Sequence, residues 1–250
     1  MFDHVTIRGS DLDASRPFYE LAMATLGFGE PTGDGHFLEW EDLSISQARE
    51  DRPVTRNLHV GLVARSREAV DGWWATMTGA GYRDDGAPGP RPQYSPVYYG
   101  GFVLDPDGNS VEAVHQGRTR EGDNRIDHLW IRVADLEASK RFYETIAPFG
   151  GFVVGGAWPQ AWHFKGADRH FSVVHDERPL TENLHIAFPA ARNATVDEFH
   201  RAAVAAGYRD NGAPGERGYH PGYHGAFVLD PDSSNTLVIQ WPSRASDAST

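Results

Sequence analysis

With 250 residues, 40% of them hydrophobic and 23% charged, the chain is long enough for one large domain or two ordinary ones, and its composition excludes disordered, collagenous and coiled-coil classes. The 23 Lys and Arg against 35 Asp and Glu leave a net charge of −12, which repels phosphate backbones and anionic lipid, so neither a nucleic-acid nor a membrane partner is expected. The absence of cysteine rules out disulfides, zinc ribbons, iron–sulfur clusters and thiol nucleophiles.

Residues 2–8 alternate, with Val5 and Ile7 on one face and His4, Thr6 and Arg8 on the other, which predicts a half-buried strand. Met1 leads straight into that strand rather than into a basic-then-apolar leader, and no apolar run approaches the roughly 18 residues of a membrane span. A cytoplasmic protein is therefore expected. Residues 11–26 read as a helix that buries Leu12, Phe18, Tyr19, Ala22 and Leu26, with Pro17 as a local objection and Gly27 as its stop. Residues 36–40 and 43–48 read as short strands and 58–64 as an alternating one. Residues 66–80 read as a helix with Val70, Trp73 and Met77 at helical spacing, where Trp73, Trp74 and Met77 are taken as core packing. Strands at 98–104 and 109–114 close the series around an Asp105-Pro106-Asp107-Gly108 turn.

The series then repeats. Gly81-Tyr82-Arg83-Asp84-Asp85-Gly86-Ala87-Pro88-Gly89 returns as Gly207-Tyr208-Arg209-Asp210-Asn211-Gly212-Ala213-Pro214-Gly215, Asn57-Leu58-His59 as Asn183-Leu184-His185, and Asp3-His4 as Asp127-His128. A period of this length is a domain rather than a solenoid unit. The expected fold is α+β, with two tandem domains at 1–117 and 125–242, a polar linker at 118–124 and a mobile small-residue tail at 243–250. Each domain is expected to pair two βαβββ modules into a concave sheet.

His4, His59 and Glu112 each occupy a strand position flanked by apolar neighbours, facing away from the helix-packed side. If the half-domains pair their sheets, two imidazoles and a carboxylate converge. Such a trio suits a divalent metal with open coordination positions. Taken singly, a strand His is more often a hydrogen-bonded, half-buried side chain than a ligand, and a strand Glu is usually solvated.

At these residues the chain resembles the vicinal oxygen chelate superfamily, which takes in glyoxalase I, extradiol dioxygenases and the fosfomycin- and bleomycin-resistance proteins. The resemblance runs through nearly the whole chain, twice. Its carriers are Asp3-His4-Val5, Asp11-Leu12 with Phe18-Tyr19, Asn57-Leu58-His59-Val60, Gly86-Ala87-Pro88-Gly89, and the stretch from Tyr98 through the Asp-Pro turn to Glu112. It implies that His4, His59 and Glu112 bind one divalent metal (Fe, Mn, Zn or Ni). It also implies that the duplicated chain is a monomer whose domains pair with each other.

Departures narrow the chemistry. Ser46 stands near the place of the fourth, carboxylate ligand of glyoxalase I, and Phe102 and Tyr94-Ser95 stand where extradiol dioxygenases carry Tyr and His, so both activities are disfavoured. In the second domain His128 and His185 remain, but aligning Asn235-Thr236-Leu237-Val238 on Asn109-Ser110-Val111-Glu112 places Val238, or Leu237 without a gap, at the carboxylate position. That domain should bind hard divalent metals weakly. Its aromatic residues, among them Trp158, Trp162, Tyr223 and Trp241, suit either a degenerate partner domain or a metal-free cup for a flat apolar ligand.

The function expected is that of a metal-dependent enzyme binding a small molecule through two adjacent oxygens. Tyr94, Tyr98, Tyr99 and Arg91, on the approach to the metal-bearing strand, are candidates to orient substrate or pass a proton, with loop packing equally open to them. The alternative is a metal-independent protein that sequesters an aromatic antibiotic or metabolite, as bleomycin-resistance proteins do.

Overall fold

The computed structural model describes residues 1–118, 122, 124–167 and 169–240. The tail at 243–250, Trp241 and most of the expected linker at 118–124 lie outside the described residues. By internal contact the chain divides into two compact units, Thr6–Ile131 and Met1–Val5 with Arg132–Thr250. The division falls inside the first strand of each repeat rather than at the linker.

The first unit holds α1 (Leu12–Thr25) and α2 (Arg67–Gly79), with β1 (His4–Gly9) from Thr6 on, β2 (Thr32–Asp34), β3 (Phe37–Trp40), β4 (Leu43–Gln47), β5 (His59–Val63), β6 (Asp84–Pro90), β7 (Tyr99–Leu104), β8 (Ser110–His115) and β9 (Ile126–Arg132) up to Ile131, while His4 and Val5 belong to the second unit. Hydrogen-bonded neighbours run β1-β4-β3-β2 and β9-β5-β8-β7-β6. The second unit holds α3 (Leu136–Gly150) and α4 (Asn193–Ala205), with β10 (Val153–Trp158), β11 (Ala161–Lys165), β12 (His170–Val174), β13 (His185–Pro189), β14 (Arg209–Glu216), β15 (His224–Leu229) and β16 (Asn235–Gln240). Its runs are β14-β15-β16-β13 and β10-β11-β12, and the Asp3 N–H donates to the Ala187 carbonyl at 2.8 Å, which ties the start of β1 to β13. The fold is α+β, and no described helix is long and apolar enough to cross a membrane.

Helices α1, α2 and α3 start where their side-chain caps stand. Asp11 accepts from the Asp13 N–H, Ser66 from Ala69 and Asp135 from Ala138. Helix α1 runs through Pro17. An interior proline costs roughly 3 kcal/mol, and the full burial of Phe18, Tyr19 and Met23 offsets it at roughly 1.5–3 kcal/mol each. Trp73 and Met77 are fully buried, and the Trp73 indole donates to the Ala22 carbonyl at 3.1 Å. Trp74 departs from the expected core role: it is half-buried, with its indole N–H on Asp84 Oδ1 at 3.0 Å. Strands β2 and β6 were not expected, because Thr-Gly-Asp and a Gly- and Pro-rich edge segment carry no apolar alternation.

One buried asparagine sets the register on which the rest depends. Asn109 Oδ1 accepts from the Leu58 N–H at 3.0 Å, while its amide donates to the Thr55 carbonyl at 3.0 Å and to Asp105 Oδ2 at 2.9 Å. The Ser110 N–H returns a bond to the Leu58 carbonyl at 2.8 Å. Strands β5 and β8 are thereby locked in parallel, with His59 opposite Ser110 and Gly61 opposite Glu112. Asn109→Ala leaves the buried Leu58 N–H and Thr55 carbonyl without these partners, at about 1–3 kcal/mol per group. A loss of at least about 2 kcal/mol is expected in chemical denaturation, and a change within ±0.5 kcal/mol would contradict this account.

Candidate metal centre

His59, Glu112 and His128 sit on three adjacent strands, β5, β8 and β9. Antiparallel pairing of β9 with β5 sets His128 opposite Gly61, and parallel pairing sets Glu112 opposite the same glycine. Backbone space makes the convergence possible. A Cβ on Gly61 would fall on the His128 ring, and a Cβ on Gly100, in β7, would fall on Glu112 Oε1, each well inside van der Waals contact.

His59 Nε2 lies 3.2 Å from Glu112 Oε2 and 3.2 Å from His128 Nε2, and His128 Nε2 lies 3.4 Å from Glu112 Oε2. Donors held about 2.1 Å from a common ion stand roughly 3.0–3.4 Å apart in octahedral or tetrahedral geometry, so the spacing fits a metal. Glu112 is fully buried, and its Oε1 has no hydrogen-bond partner. A buried carboxylate oxygen in that state is one that a bound cation would satisfy. Two imidazole nitrogens and a carboxylate suit Fe, Mn, Ni or Zn. The other ring nitrogens are held from behind: His128 Nδ1 by Asp127 Oδ1 at 2.9 Å, which also accepts from Gln116 at 2.7 Å, and His59 Nδ1 by Ser110 Oγ at 3.1 Å. The start of β9 is fixed by Asp42, whose Oδ1 accepts from the Arg125 N–H at 2.7 Å.

Electrostatics follow from these contacts. Burial, the largest single influence, works to raise the Glu112 carboxyl, but the hydrogen bonds and charges of His128 and His59 together outweigh it and hold the group below the ordinary carboxylate value. Burial works to lower the His128 imidazole, yet hydrogen bonds with Asp127 and Glu112 raise it to about 9. His128 is therefore protonated near neutrality, whereas a ligating nitrogen must be bare. Metal uptake at about pH 7.5 is expected to expel about one proton from His128, and the release should fade as pH rises past about 9. Calorimetry in buffers of different protonation enthalpy measures it, and uptake without proton release would contradict this placement of His128.

The structure thus corrects the expected trio. His4 does not join His59 and Glu112. It lies in the other unit, with Nε2 3.2 Å from His185 Nε2 and Nδ1 2.8 Å from Asp3 Oδ1. The reason is strand pairing: the first strand of each repeat is bonded outside its own repeat, so His128 takes the place expected for His4. The repeated Asp-His pair was the only signal available for it. In the His4–His185 unit the register sets Phe227 opposite Leu237 as Phe102 stands opposite Glu112. The carboxylate position is therefore Leu237, not Val238, and leucine offers no ligand atom.

The four candidate catalytic residues separate. The Tyr98 hydroxyl donates to Glu112 Oε2 at 2.8 Å and lies 3.5 Å from His128 Nε2. Burial, and then the Glu112 charge, raise its phenol far above the ordinary value. The Tyr94 ring, half exposed, packs 5.1 Å from Tyr98 and edge-on 5.6 Å from Trp130. Tyr99 does not join them: strand alternation turns it to the helix side, where its hydroxyl donates to Asp71 Oδ1 at 2.7 Å. The Arg91 guanidinium donates to the Ala87 carbonyl at 2.8 Å and lies over Phe102, 5.3 Å from the ring centre. The Phe102 ring is in turn 5.8 Å from that of His59, so Arg91 stands one ring away from the triad. In the second unit Trp158 packs edge-on against His163, and Tyr219 against Tyr223.

The model of the Glyoxalase/Bleomycin resistance protein/Dioxygenase superfamily matches this chain over residues 1–113 and again over 125–237. No curated protein matches. Among solved structures, glyoxalase I from Zea mays is 16% identical, with a TM-score of 0.67 over 98% of this chain and 94% of that chain. A single-substitution variant of the same Zea mays enzyme is 17% identical, with a TM-score of 0.71 over 98% of this chain and 94% of that one. At such identities the likeness is one of fold.

Proposed function

We propose that this chain, which belongs to the Glyoxalase/Bleomycin resistance protein/Dioxygenase superfamily, is an enzyme that binds a small molecule through two adjacent oxygens on one divalent metal held by His59, Glu112 and His128. The observation that carries the reading is the triad itself, three donor atoms within 3.4 Å of one another around a fully buried carboxylate. A metal held there supplies Lewis acidity and open coordination positions.

The chain's own residues shape the rest. Tyr98 keeps its proton, so its part is to donate to Glu112 and hold that carboxylate in place. Tyr94 and Trp130 offer ring faces beside the triad, suited to the apolar part of a substrate. Asp127 and Gln116 hold the His128 ring in one orientation. We assign no part to Tyr99, and Arg91 is placed to brace Phe102 rather than to touch a ligand on the triad. The preference against catechol cleavage remains part of the proposal and rests on Phe102, whose ring lies 5.8 Å from that of His59 and carries no hydroxyl. Ser46 stands on β4, beside the strand that carries His4, so it gives no ground against glyoxalase I chemistry at this triad.

Elemental analysis of protein purified without chelator should find about one divalent metal per chain, the His4–His185 unit having Leu237 where a third ligand is needed. Titration with vicinal diols, 2-oxo acids, hydroxy ketones and aromatic antibiotics, with and without chelator, tests the rest. The tightest ligand should need the metal. A ligand that binds the chelated protein equally well and is recovered unchanged would favour sequestration over catalysis.

A further inference from the structure

We infer that Asp85 and Ser110 form a positioning relay that selects the ring nitrogen of His59 left bare toward Glu112 and His128, an inference that rests on the metal reading above. Ser110 Oγ donates to Asp85 Oδ2 at 2.7 Å and lies 3.1 Å from His59 Nδ1. A serine hydroxyl has one proton, and an ionised carboxylate can only accept. The proton therefore goes to Asp85, and the serine oxygen faces His59 with lone pairs alone. The bond between them forms only when His59 Nδ1 carries the hydrogen and donates. A neutral imidazole protonated there has Nε2 bare, and Nε2 is the atom aimed at Glu112 and His128. His128 obtains the same preference directly, from the Asp127 carboxylate on its Nδ1. In both rings an acidic group behind the ligand holds the Nδ1 proton, so that Nε2 is the nitrogen left to ligate.

Two features beyond the hydrogen bonds point the same way. Asp85 is the extra residue of a β-bulge: Asp84 pairs with Val103 and Gly86 with Phe102, which leaves Asp85 between consecutive partners on β7. A bulge at that point re-aims a side chain that regular pairing would fix. The second repeat keeps the same bulge, between Asp210 opposite Val228 and Gly212 opposite Phe227. There the bulged residue is Asn211, the Ser110 position is Asn235 and the Glu112 position is Leu237. The chain therefore contains its own comparison, in which the relay carboxylate, the relay hydroxyl and the ligand carboxylate are all replaced together while the histidine remains as His185.

The test uses the full-length protein and two readouts. In chelated protein, 15N NMR of the imidazoles should find a proton held on His59 Nδ1, whether or not Nε2 also carries one toward Glu112 Oε2. Ser110→Ala and Asp85→Ala, the latter removing the acceptor outright, should shift that proton toward Nε2 and weaken Zn2+ binding by about 10- to 100-fold in competition with a chelating dye. Ser110→Thr, which keeps the hydroxyl, should restore both. Asp85 is exposed, so Asp85→Ala should leave the thermal midpoint close to that of the parent. An unchanged His59 tautomer together with unchanged Zn2+ affinity in both variants would overturn the relay. Failure of the parent protein to bind metal would sink the metal reading instead, and the NMR measurement on chelated protein would still decide the relay.

Discussion

Glu112→Gln should purify without its metal, and turnover should fall by a factor on the order of 10³ or more. The substitution keeps side-chain volume and one carbonyl oxygen, so the surrounding packing survives while the negative charge is lost. That charge is the only carboxylate in the His59–Glu112–His128 group, and two neutral imidazoles hold hard divalent ions poorly. A matched pair of variants separates this site from the trio expected on sequence grounds. His128→Ala should empty the site as Glu112→Gln does, whereas His4→Ala, which acts beside His185, should leave metal content near one per chain. Retention of a full equivalent in Glu112→Gln, or loss in His4→Ala with retention in His128→Ala, would refute the assignment. The comparison reads metal content alone and so does not depend on knowing the substrate.

Gly61→Ala and Gly100→Ala should be the single-methyl changes that most damage the metal centre. In strands alanine is no worse than glycine for the backbone, so any loss must come from the space the methyl takes. At Gly61 that space is filled by the His128 ring, and at Gly100 by Glu112 Oε1. Neither side chain can retreat freely, because His128 is pinned by Asp127 and Glu112 by Tyr98. Overpacking of this kind costs about 1–3 kcal/mol, and displacement of a ligand atom should weaken metal binding by at least about 10-fold. Gly72→Ala is the control. Nothing lies within 4 Å of a Cβ at that position in α2, so it should stabilise by roughly 0.5–1 kcal/mol. Denaturation curves and Zn2+ titrations of the three variants measure both effects, and parent-like affinity in Gly61→Ala would contradict the packing described.

Much of this protein can be read along the chain, because local pattern carries it. Alternation identifies β1, β5 and β8, spacing and caps identify α1 and α2, and the repeated motifs identify the family. The presence of His59 and Glu112 on the strand faces turned away from the helices follows from the same alternation. Parity could also have separated Tyr98 from Tyr99, since neighbours in a strand face opposite ways. Strand β6 escaped, and Asp85 with it, because a Gly- and Pro-rich edge strand has no hydrophobic period, and its place comes from pairing with β7 through bulges. The roles of Gly61 and Gly100 were equally hidden, since a glycine shows what it makes room for only when the neighbour is known. The partner of His59 was beyond any local reading. Asp3-His4 and Asp127-His128 present the same residues, the same alternation and the same backbone hydrogen-bonding edge, so nothing near either histidine favours one over the other. Only the non-local pairing of β9 with β5, and of the start of β1 with β13, decides that His128 closes the triad and His4 meets His185, because a strand edge offers identical N–H and C=O groups to any partner and the packing of the whole unit makes the choice.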